Sequence, residues 1–423
     1  MAVTQRAPTS AEFGLGAVTP RRVVTPASVE ELAATLRECD AAGEAVVVVG
    51  GGTLQSLGHA PSRYDVALRT TALARILEYE YRDLTIAVEA GLTASALDET
   101  LAERGQFIPL DAPNAARSTV GGVLASGWLG PRRAKYGSPR DFVIGTTIVL
   151  ADGVIAKAGG MVVKNSTGYD LSRFYCGSLG TLGVLVRANF KTLPSPEARR
   201  VALATLPERT RRRAMEHVAG LDVEPAAVLA IAGFADDIDG RDGLEGRIFL
   251  LFEGAVPSVD RATRQLRSAL GAAGVPETTL FDAGAGKALA RLIDAYVIRL
   301  GDRSVTYRSR GLPSDLFERT ATIASLAQRE ALGLELIEDI CTGDVIARVS
   351  TPVTGQLSER IGTFDPLLHA SLPNVSVLTA PEALRGDLAM WGAPPSALEM
   401  MRAIKSRFDP NATLAPGRFV GKI

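Results

Sequence analysis

The sequence of residues 159–194, GGMVVKNSTGYDLSRFYCGSLGTLGVLVRANFKTLP, contains the pattern that decides how much of the chain can fold. Its first part is rich in glycine, and its last part, Val184 to Leu193, has the apolar alternation of a β-strand. Gly177, Gly180 and Gly183 recur at intervals of three just before that strand. Because glycine lacks a Cβ and tolerates positive φ, this spacing lets main-chain amides approach a flat or anionic ligand closely. A glycine-rich turn between strands is the alternative interpretation.

Length and charge limit what such a ligand can be. A chain of 423 residues suits two or three domains, with a core large enough to enclose a small molecule. The formal net charge is -1, from 46 basic and 47 acidic residues. No electrostatic field therefore favours nucleic acid or an anionic membrane, and we expect no nucleic-acid partner.

Cysteine usage and hydropathy indicate the compartment. Cys39, Cys176 and Cys341 lie far apart, which argues against a disulfide framework, a zinc site or an iron-sulfur cluster, and we expect no metal site. The N-terminus lacks a signal pattern, and no apolar run approaches the roughly 20 residues that span a bilayer. The sequence predicts a soluble, cytoplasmic protein without a transmembrane segment.

A second glycine cluster follows an apolar strand near the N-terminus. Residues 1–22 are polar and predicted to be disordered, and Ser28 can then cap a helix. Ala45 to Val49 predict a buried strand that ends in Gly50-Gly51-Gly52-Thr53. Consecutive amides without side chains can converge on a pyrophosphate without lysine or arginine. The cluster matches neither Walker A nor Gly-x-Gly-x-x-Gly, so an ordinary turn is the alternative.

Short strands and a further glycine-rich surface occupy the rest of the first third of the chain. Alternating residues between 64 and 89 predict strands, and Thr93 to Gly105 predict a helix. This order indicates an α+β fold rather than a doubly wound sheet. Glycine-rich loops follow between residues 109 and 141. Three such loops converging on one extended cofactor form a sharper hypothesis than any loop alone.

The combined motifs resemble the vanillyl-alcohol oxidase and p-cresol methylhydroxylase (PCMH) superfamily of FAD enzymes. They are Gly50-Gly51-Gly52-Thr53, Thr119-Val120-Gly121-Gly122, Asp152-Gly153, Val163-Lys164-Asn165 with Gly168-Tyr169-Asp170-Leu171, and Gly177 to Val184. Within it, the chain is most similar to the E-type, FAD-binding component of bacterial glycolate oxidase. That similarity rests on Gly130 to Ala134, Arg140 to Gly145 and the tail from Phe408 to Phe419.

The resemblance implies an α+β architecture with a two-part FAD-binding domain of the vanillyl-alcohol oxidase (PCMH) type and an α+β cap. The implied segments are a disordered 1–22, an FAD-binding domain 23–194, a cap or substrate domain 195–385, and a segment 386–423 that returns to the FAD domain. The residues that it implies for FAD binding are Gly50, Gly51, Gly52, Thr53, Leu54, Gln55, Pro109, Asp111, Thr119, Gly121, Gly122, Ser126, Tyr136, Arg140, Thr181, Gly183, Val184 and Arg418.

Two departures from the family bear on chemistry. Covalent members carry a histidine after the first glycine pair, where this chain has Thr53, so we expect non-covalent FAD. Related 2-hydroxy-acid dehydrogenases carry a His-x-Gly-Asp-Gly-Asn-x-His metal motif, whereas the histidines here are His59, His217 and His369. The resemblance therefore leaves open whether this chain oxidises a hydroxy acid directly.

The catalytic residues are not evident from the sequence. Lys164 and Tyr169 are candidates for the flavin environment, with a salt bridge and a packing role as the alternatives. Arg308 and Arg310 could bind a substrate carboxylate, with an exposed strand face as the alternative. An amphipathic helix from Ala397 to Phe408 precedes the tail, which is expected to place Arg418 near the flavin.

Three functions remain open at this stage. The first is an FAD-binding subunit of a glycolate-oxidase-like complex, relaying electrons to or from a second FAD subunit and an iron-sulfur subunit while the complex oxidises a small 2-hydroxy acid. Such partners would bring the chain to the periphery of the inner membrane. The second is a flavin-bearing assembly subunit without turnover. The third is a stand-alone FAD enzyme for another small alcohol or acid.

Overall fold

The first half of the N-terminal domain is a three-stranded parallel sheet with one helix. A computed structural model of the chain describes residues 10–162, 170–233, 246–275, 278–297, 303–353 and 355–423. The elements of this half are β1 (Arg22–Val24), α1 (Val29–Ala42), β2 (Val46–Val49) and β3 (Val66–Arg69), with sheet order β1-β3-β2. Ser28 accepts a hydrogen bond from the Glu31 amide, as its predicted capping role requires. Leu32 and Leu36 of α1 are fully buried, which anchors the helix.

The second half of this domain is an antiparallel sheet of order β4-β5-β9-β7-β8. Its strands are β4 (Ile76–Glu80), β5 (Thr85–Glu89), β7 (Val143–Val149), β8 (Ile155–Gly159) and β9 (Val184–Lys191). The helices beside it are α2 (Ala94–Ala102), α3 (Val120–Ser126) and α4 (Arg133–Tyr136), and β6 (Gln106–Phe107) pairs with β10 (Leu193–Pro194). The strand predicted after the third glycine is confirmed as β9, which pairs with both β5 and β7.

The cap is built on an antiparallel sheet of order β14-β11-β13-β12-β16-β17-β15-β18 among the described residues. Its strands are β11 (Ala198–Thr205), β12 (Ala227–Ala232), β13 (Arg247–Gly254), β14 (Thr278–Phe281), β15 (Ser304–Ser309), β16 (Gly333–Asp339), β17 (Val345–Ser350) and β18 (Val375–Thr379). Its helices are α5 (Glu208–Ala219), α6 (Val256–Ala272), α7 (Ala285–Ala295), α8 (Leu316–Arg329) and α9 (Leu357–Ser371). The α+β prediction is confirmed.

The two faces of the cap sheet have different neighbours. One face packs against α5, α6, α8 and α9 in a core of its own. The other face packs against α7 and joins the core of the N-terminal domain, where Leu229 and Leu289 of the cap belong to the same buried cluster as Leu97 and Ile86. A continuous apolar core therefore fixes the cap on the N-terminal domain.

The segment before β1 corrects one prediction. The sequence predicts disorder over residues 1–22, yet Ser10–Phe13 form a 3-10 helix and the Gly16 amide donates to Glu382. Leu15 is 5% exposed and packs with Val47, so one apolar side chain is enough to bind this polar segment to the sheet. Residues 1–9 lie outside the described residues.

The C-terminal helix, α10 (Leu398–Phe408), leads into a tail that returns to β2. In the C-terminal tail, residues 409–423, the Ala415 amide donates to Val46 O at 2.8 Å, and Val46 N donates to Thr413 O at 2.7 Å. The expected apolar face of α10 is only half-buried, and Lys405 is the buried residue of this helix. Over the described residues, every helix is too short or too polar to cross a membrane.

Candidate cofactor-binding site

A cleft opens between the two halves of the N-terminal domain, where the glycine-rich segments meet. It measures about 710 Å³, including the space open to solvent. We call this space the cofactor cleft, and we call Gly50–Gln55, which follows β2, the glycine loop. The predicted residues that line it are Gly50, Gly51, Gly52, Thr53, Leu54, Gln55, Thr119, Gly121, Gly122, Ser126, Gly183, Val184 and Arg418.

The glycines of the loop are required by the chain itself. A Cβ on Gly51 would lie 1.7 Å from the carbonyl oxygen of Arg117, and a Cβ on Gly50 would lie 2.1 Å from Thr119 Oγ1. The loop thus packs backbone to backbone on the segment before α3. Gly52, at φ 75°, has only the far end of Arg117 within 4 Å. Close packing holds the loop in one shape and leaves its Gly52 end open.

The third glycine segment packs on the end of α3. The Gly177 amide donates to Leu124 O at 2.8 Å, and the Leu179 amide donates to Ala125 O at 2.7 Å. A Cβ on Gly127 would lie 2.9 Å from Gly177 Cα. These contacts bring Leu179 and the following glycine into the wall of the cleft.

Arg418 is a buried cation in this cleft. It is 2% exposed, and its Nη2 donates to Leu57 O at 2.8 Å and to Gln55 O at 3.2 Å. Its Nη1 has no hydrogen-bond partner in the described part of the chain. Burial lowers the pKa of Arg418 to about 10, and the neighbouring cation Arg385 acts in the same direction. A buried guanidinium with an unused donor suits an anionic ligand.

Five of the predicted cofactor residues do not line the cleft. Asp111 accepts from Arg132 N at 3.0 Å and from Arg132 Nε at 2.7 Å. Thr181 is buried behind the wall, donating to Ser178 O. The others are Pro109, which is buried, Tyr136, which is half-buried, and Arg140, which is exposed. The structure thus brings the loop residues and Arg418 together and places these five elsewhere.

Asp111 belongs to a charged seam between the N-terminal domain and the cap. Its partner Arg132 lies 3.4 Å from Glu253 of β13, which also pairs with Arg199 of β11. Burial by itself would raise the pKa of Glu253, but Arg132 and Arg199 together hold this pKa below its usual value. Lys135 reinforces the seam by donating to Glu253 O. The basic residues around Gly130 therefore dock the cap rather than line the cleft.

The predicted catalytic candidates fall into two groups. Lys164 and Tyr169 lie outside the described residues. Arg308 is 3% exposed on β15, so the expectation of an exposed strand face is wrong for it, because the seam covers this part of the sheet. Its Nε donates to Asp344 at 2.7 Å and its Nη1 to Leu129 O at 3.3 Å. Arg310, just past the strand, is exposed.

Sequence reasoning missed part of the lining. These residues are Val47, Val48, Thr70, Ala125, Leu179, Gly180 and Leu185. Gly180 was detectable from the three-residue glycine spacing. The remainder have no chemical signal, because only their position on the facing walls brings them to the cleft. Among the described residues, no group of three or more His, Cys, Asp or Glu side chains is placed to hold a metal ion.

Comparison with known proteins agrees with this geometry. The FAD binding domain family matches residues 20–159. Glycolate oxidase subunit GlcE of Escherichia coli (strain K12) is 36% identical over 175 residues, which are 41% of this chain and 49% of that protein. Glycolate oxidase subunit GlcD of Bacillus subtilis (strain 168) is 35% identical over 185 residues, 44% of this chain and 39% of that protein. The chain thus spans less than half the length of either subunit.

Other matches extend over most of the chain. D-lactate dehydrogenase of Archaeoglobus fulgidus is 28% identical over 426 aligned positions, 95% of this chain and 91% of that protein. A substrate-bound structure of p-cresol methylhydroxylase superposes with a TM-score of 0.74 at 15% identity, covering 94% of this chain and 88% of the other. The predicted PCMH-type fold is confirmed, as is the resemblance to FAD proteins of the glycolate oxidase and D-lactate dehydrogenase kind.

Proposed function

We propose that this chain, an FAD-binding protein of PCMH-type fold, is an FAD-dependent oxidoreductase that serves 2-hydroxy-acid oxidation as a subunit of a glycolate-oxidase-like complex. The observation that carries the proposal is the cofactor cleft, in which the glycine loop and the partly unpaired buried cation Arg418 converge. A cation buried at this position suits an anion held over the loop. FAD carries such an anion in its pyrophosphate.

The roles of the residues follow from their positions. The amides of the glycine loop and the guanidinium of Arg418 would hold the pyrophosphate or an anionic edge of the flavin. Gly121, Gly122 and Ser126 would form the second wall, and Val184 the third. When bound, FAD supplies the oxidant, accepting a hydride and passing electrons on singly. The protein's part is to bind and orient the cofactor and to exclude water around it.

Non-covalent attachment is part of the proposal. Thr53 occupies the place of the attachment histidine, and its hydroxyl lies 2.6 Å from Ser118 Oγ. His59 follows in the chain, and its backbone amide donates to Arg418 O at 3.0 Å. Burial lowers the pKa of His59, with Lys422 and Arg385 acting in the same direction. Acid precipitation of the purified protein should release all of its flavin as FAD, and flavin that stays with the pellet would contradict this attachment.

A subunit role is favoured by the state of Arg308. This arginine is the best placed candidate for a substrate carboxylate, yet the Asp344 carboxylate already occupies its Nε and Nη2. Asp344 is held in turn by Arg133 at 2.7 Å. A substrate would have to displace a buried internal ion pair, which is unfavourable unless a partner rearranges the seam. The partners proposed are a second FAD subunit and an iron-sulfur subunit.

A stand-alone dehydrogenase is the second candidate. The D-lactate dehydrogenase of Archaeoglobus fulgidus is similar to the chain over nearly its full length, which favours this function. A flavin-bearing assembly subunit without turnover is the remaining alternative.

Anaerobic addition of glycolate, D-lactate and D-2-hydroxyglutarate to the purified, FAD-loaded chain separates these functions. Bleaching of the flavin only when partner subunits are present supports the subunit role. Bleaching of the chain alone supports the stand-alone enzyme, and no bleaching under either condition leaves the assembly role. A folded chain that cannot be loaded with FAD would overturn the whole proposal.

A further inference from the structure

A second cavity shares the glycine loop with the cofactor cleft but is otherwise lined by different residues. It measures about 1170 Å³, including the space open to solvent. The N-terminal segment Glu12–Leu15 forms one side, and Tyr64, Arg69 and Arg117 contribute the polar lining opposite the loop. The proposed function assigns no role to this space.

Tyr64 brings an unused hydroxyl to the second cavity. The residue is 5% exposed, and its Oη has no hydrogen-bond partner in the described parts of the chain. A buried hydroxyl without a partner costs about 1 to 3 kcal/mol. Burial raises the pKa of Tyr64, and the Arg418 cation opposes that rise. Because a guanidinium only donates, the phenol oxygen faces it with its lone pairs, and the O–H remains to donate into the cavity.

Two arginines add positive charge to the same cavity. The guanidinium of Arg69 lies 5.6 Å from the ring centre of Phe13, and its buried Nε lacks a hydrogen-bond partner among the residues described. Arg117 uses Nη2 to donate to Gly51 O at 3.1 Å, which leaves the other edge of its fork available. Both side chains can therefore donate to one ligand while keeping their present contacts.

The acidic residues of the lining do not cancel this charge. Glu382 accepts the Gly16 amide at 2.6 Å and lies 3.6 Å from Arg385, so its carboxylate is already neutralised. Glu12 is exposed at the rim, where solvent screens it. The donors that remain for a ligand are a hydroxyl and two guanidinium groups.

We propose that the second cavity binds a small oxyanion, a carboxylate or a phosphate, through Tyr64 Oη and the guanidinium groups of Arg69 and Arg117. This site is separate from the cofactor cleft, and the two contact the glycine loop from different surroundings. The anion satisfies the buried donors and fastens the N-terminal segment to the loop.

Calorimetric titration of the FAD-loaded protein with inorganic phosphate, and separately with acetate, tests the proposal. Saturable binding of at least one probe is expected, and which one binds identifies the class of anion. Tyr64→Phe and Arg69→Met should each weaken this binding at least about tenfold, since a hydrogen bond to a charged group is lost in each. Tyr81→Phe and Arg82→Met, at exposed positions, are the matched controls and should leave it unchanged.

The result is decisive in either direction. Absence of saturable binding with both probes, or equal affinities in Tyr64→Phe, Arg69→Met and the unmodified protein, overturns the proposal. Tyr64 and Arg69 line the second cavity and not the cofactor cleft. Their effect therefore assigns the anion to this cavity even if the purified chain carries no flavin, so this test is independent of the proposed function.

Discussion

Lys405 Nζ donates a hydrogen bond of 2.8 Å to the carbonyl oxygen of Thr181, which lies 224 residues earlier in the chain. The same ammonium donates to Leu414 O at 2.7 Å and pairs with the buried carboxylate of Asp409. Thr181 belongs to the glycine segment that forms one wall of the cofactor cleft. One buried ammonium thus joins the C-terminal tail to that wall.

Replacement of Lys405 by methionine should loosen both the tail and the cleft. The variant leaves the Asp409 carboxylate buried without its partner, which destabilises a protein by about 3 to 5 kcal/mol. We expect a lower free energy of unfolding in urea and weaker FAD binding. Arg402→Met, on the exposed face of the same helix, is the control and should change neither. Unchanged FAD affinity in Lys405→Met would show that the tail does not shape the cleft.

Gly51→Ala should abolish FAD binding although it adds no charge. Its Cβ would lie 1.7 Å from the Arg117 carbonyl, so the glycine loop must move away from the segment before α3. Gly271→Ala in α6 is the matched control, because no atom lies within 4 Å of the added Cβ there. The control should keep its FAD and gain up to about 1 kcal/mol of stability. Flavin content after purification is the measurement, and a fully loaded Gly51→Ala protein would exclude the loop as the cofactor cradle.

Arg418→Gln should weaken FAD binding at least about tenfold, because a charged hydrogen bond to the cofactor is lost. The reduction potential of any flavin still bound should fall, since a nearby positive charge stabilises the reduced anion. Arg418→Lys keeps the charge and should lose less. Arg140→Gln offers a sharp comparison, because the sequence assigns Arg140 to the cofactor whereas the structure leaves it exposed outside the cleft. Equal losses at positions 418 and 140, in fluorescence titrations with FAD, would favour the sequence assignment.

Glu253→Gln should reduce the sensitivity of the fold to acid. The arginines hold the pKa of Glu253 below its ordinary value of 4.5, so its stabilising contribution is complete above that pH. This contribution is lost as the pH falls through the lower pKa of the folded protein. The variant should be less stable than the unmodified protein at roughly pH 7, and the difference should shrink as the pH is lowered through roughly pH 4.

Urea unfolding across that range measures the difference for Glu253→Gln. The exposed pair partner Glu216, changed to glutamine in α5, is the control and should show little change at any pH. A stability difference that is independent of pH would show that the seam does not hold Glu253 ionised.

Motifs and local patterns predicted the parts of the site that depend on backbone chemistry. The strand ending at Val49 and the glycines after it could be placed because a buried strand and a run of glycine have strong local signals. The same reasoning failed for residues 10–22, where a single apolar side chain, Leu15, outweighs a polar composition. It also failed for Arg308, because pairing with Asp344 depends on a turn 36 residues away.

Sequence alone determined the α+β class, the glycine loop after β2, the strand β9 after the third glycine segment, and a resemblance to FAD proteins. These features follow from propensities and spacings over a few residues, which act wherever the chain goes. Tertiary structure alone decided that Arg418 is buried in the cleft, that Asp111 serves the seam to the cap, and that Lys405 holds the wall at Thr181. Each depends on a buried charge meeting a partner far away in sequence. Burial of an ion is favourable only when the whole fold supplies that partner, so no local pattern can reveal it.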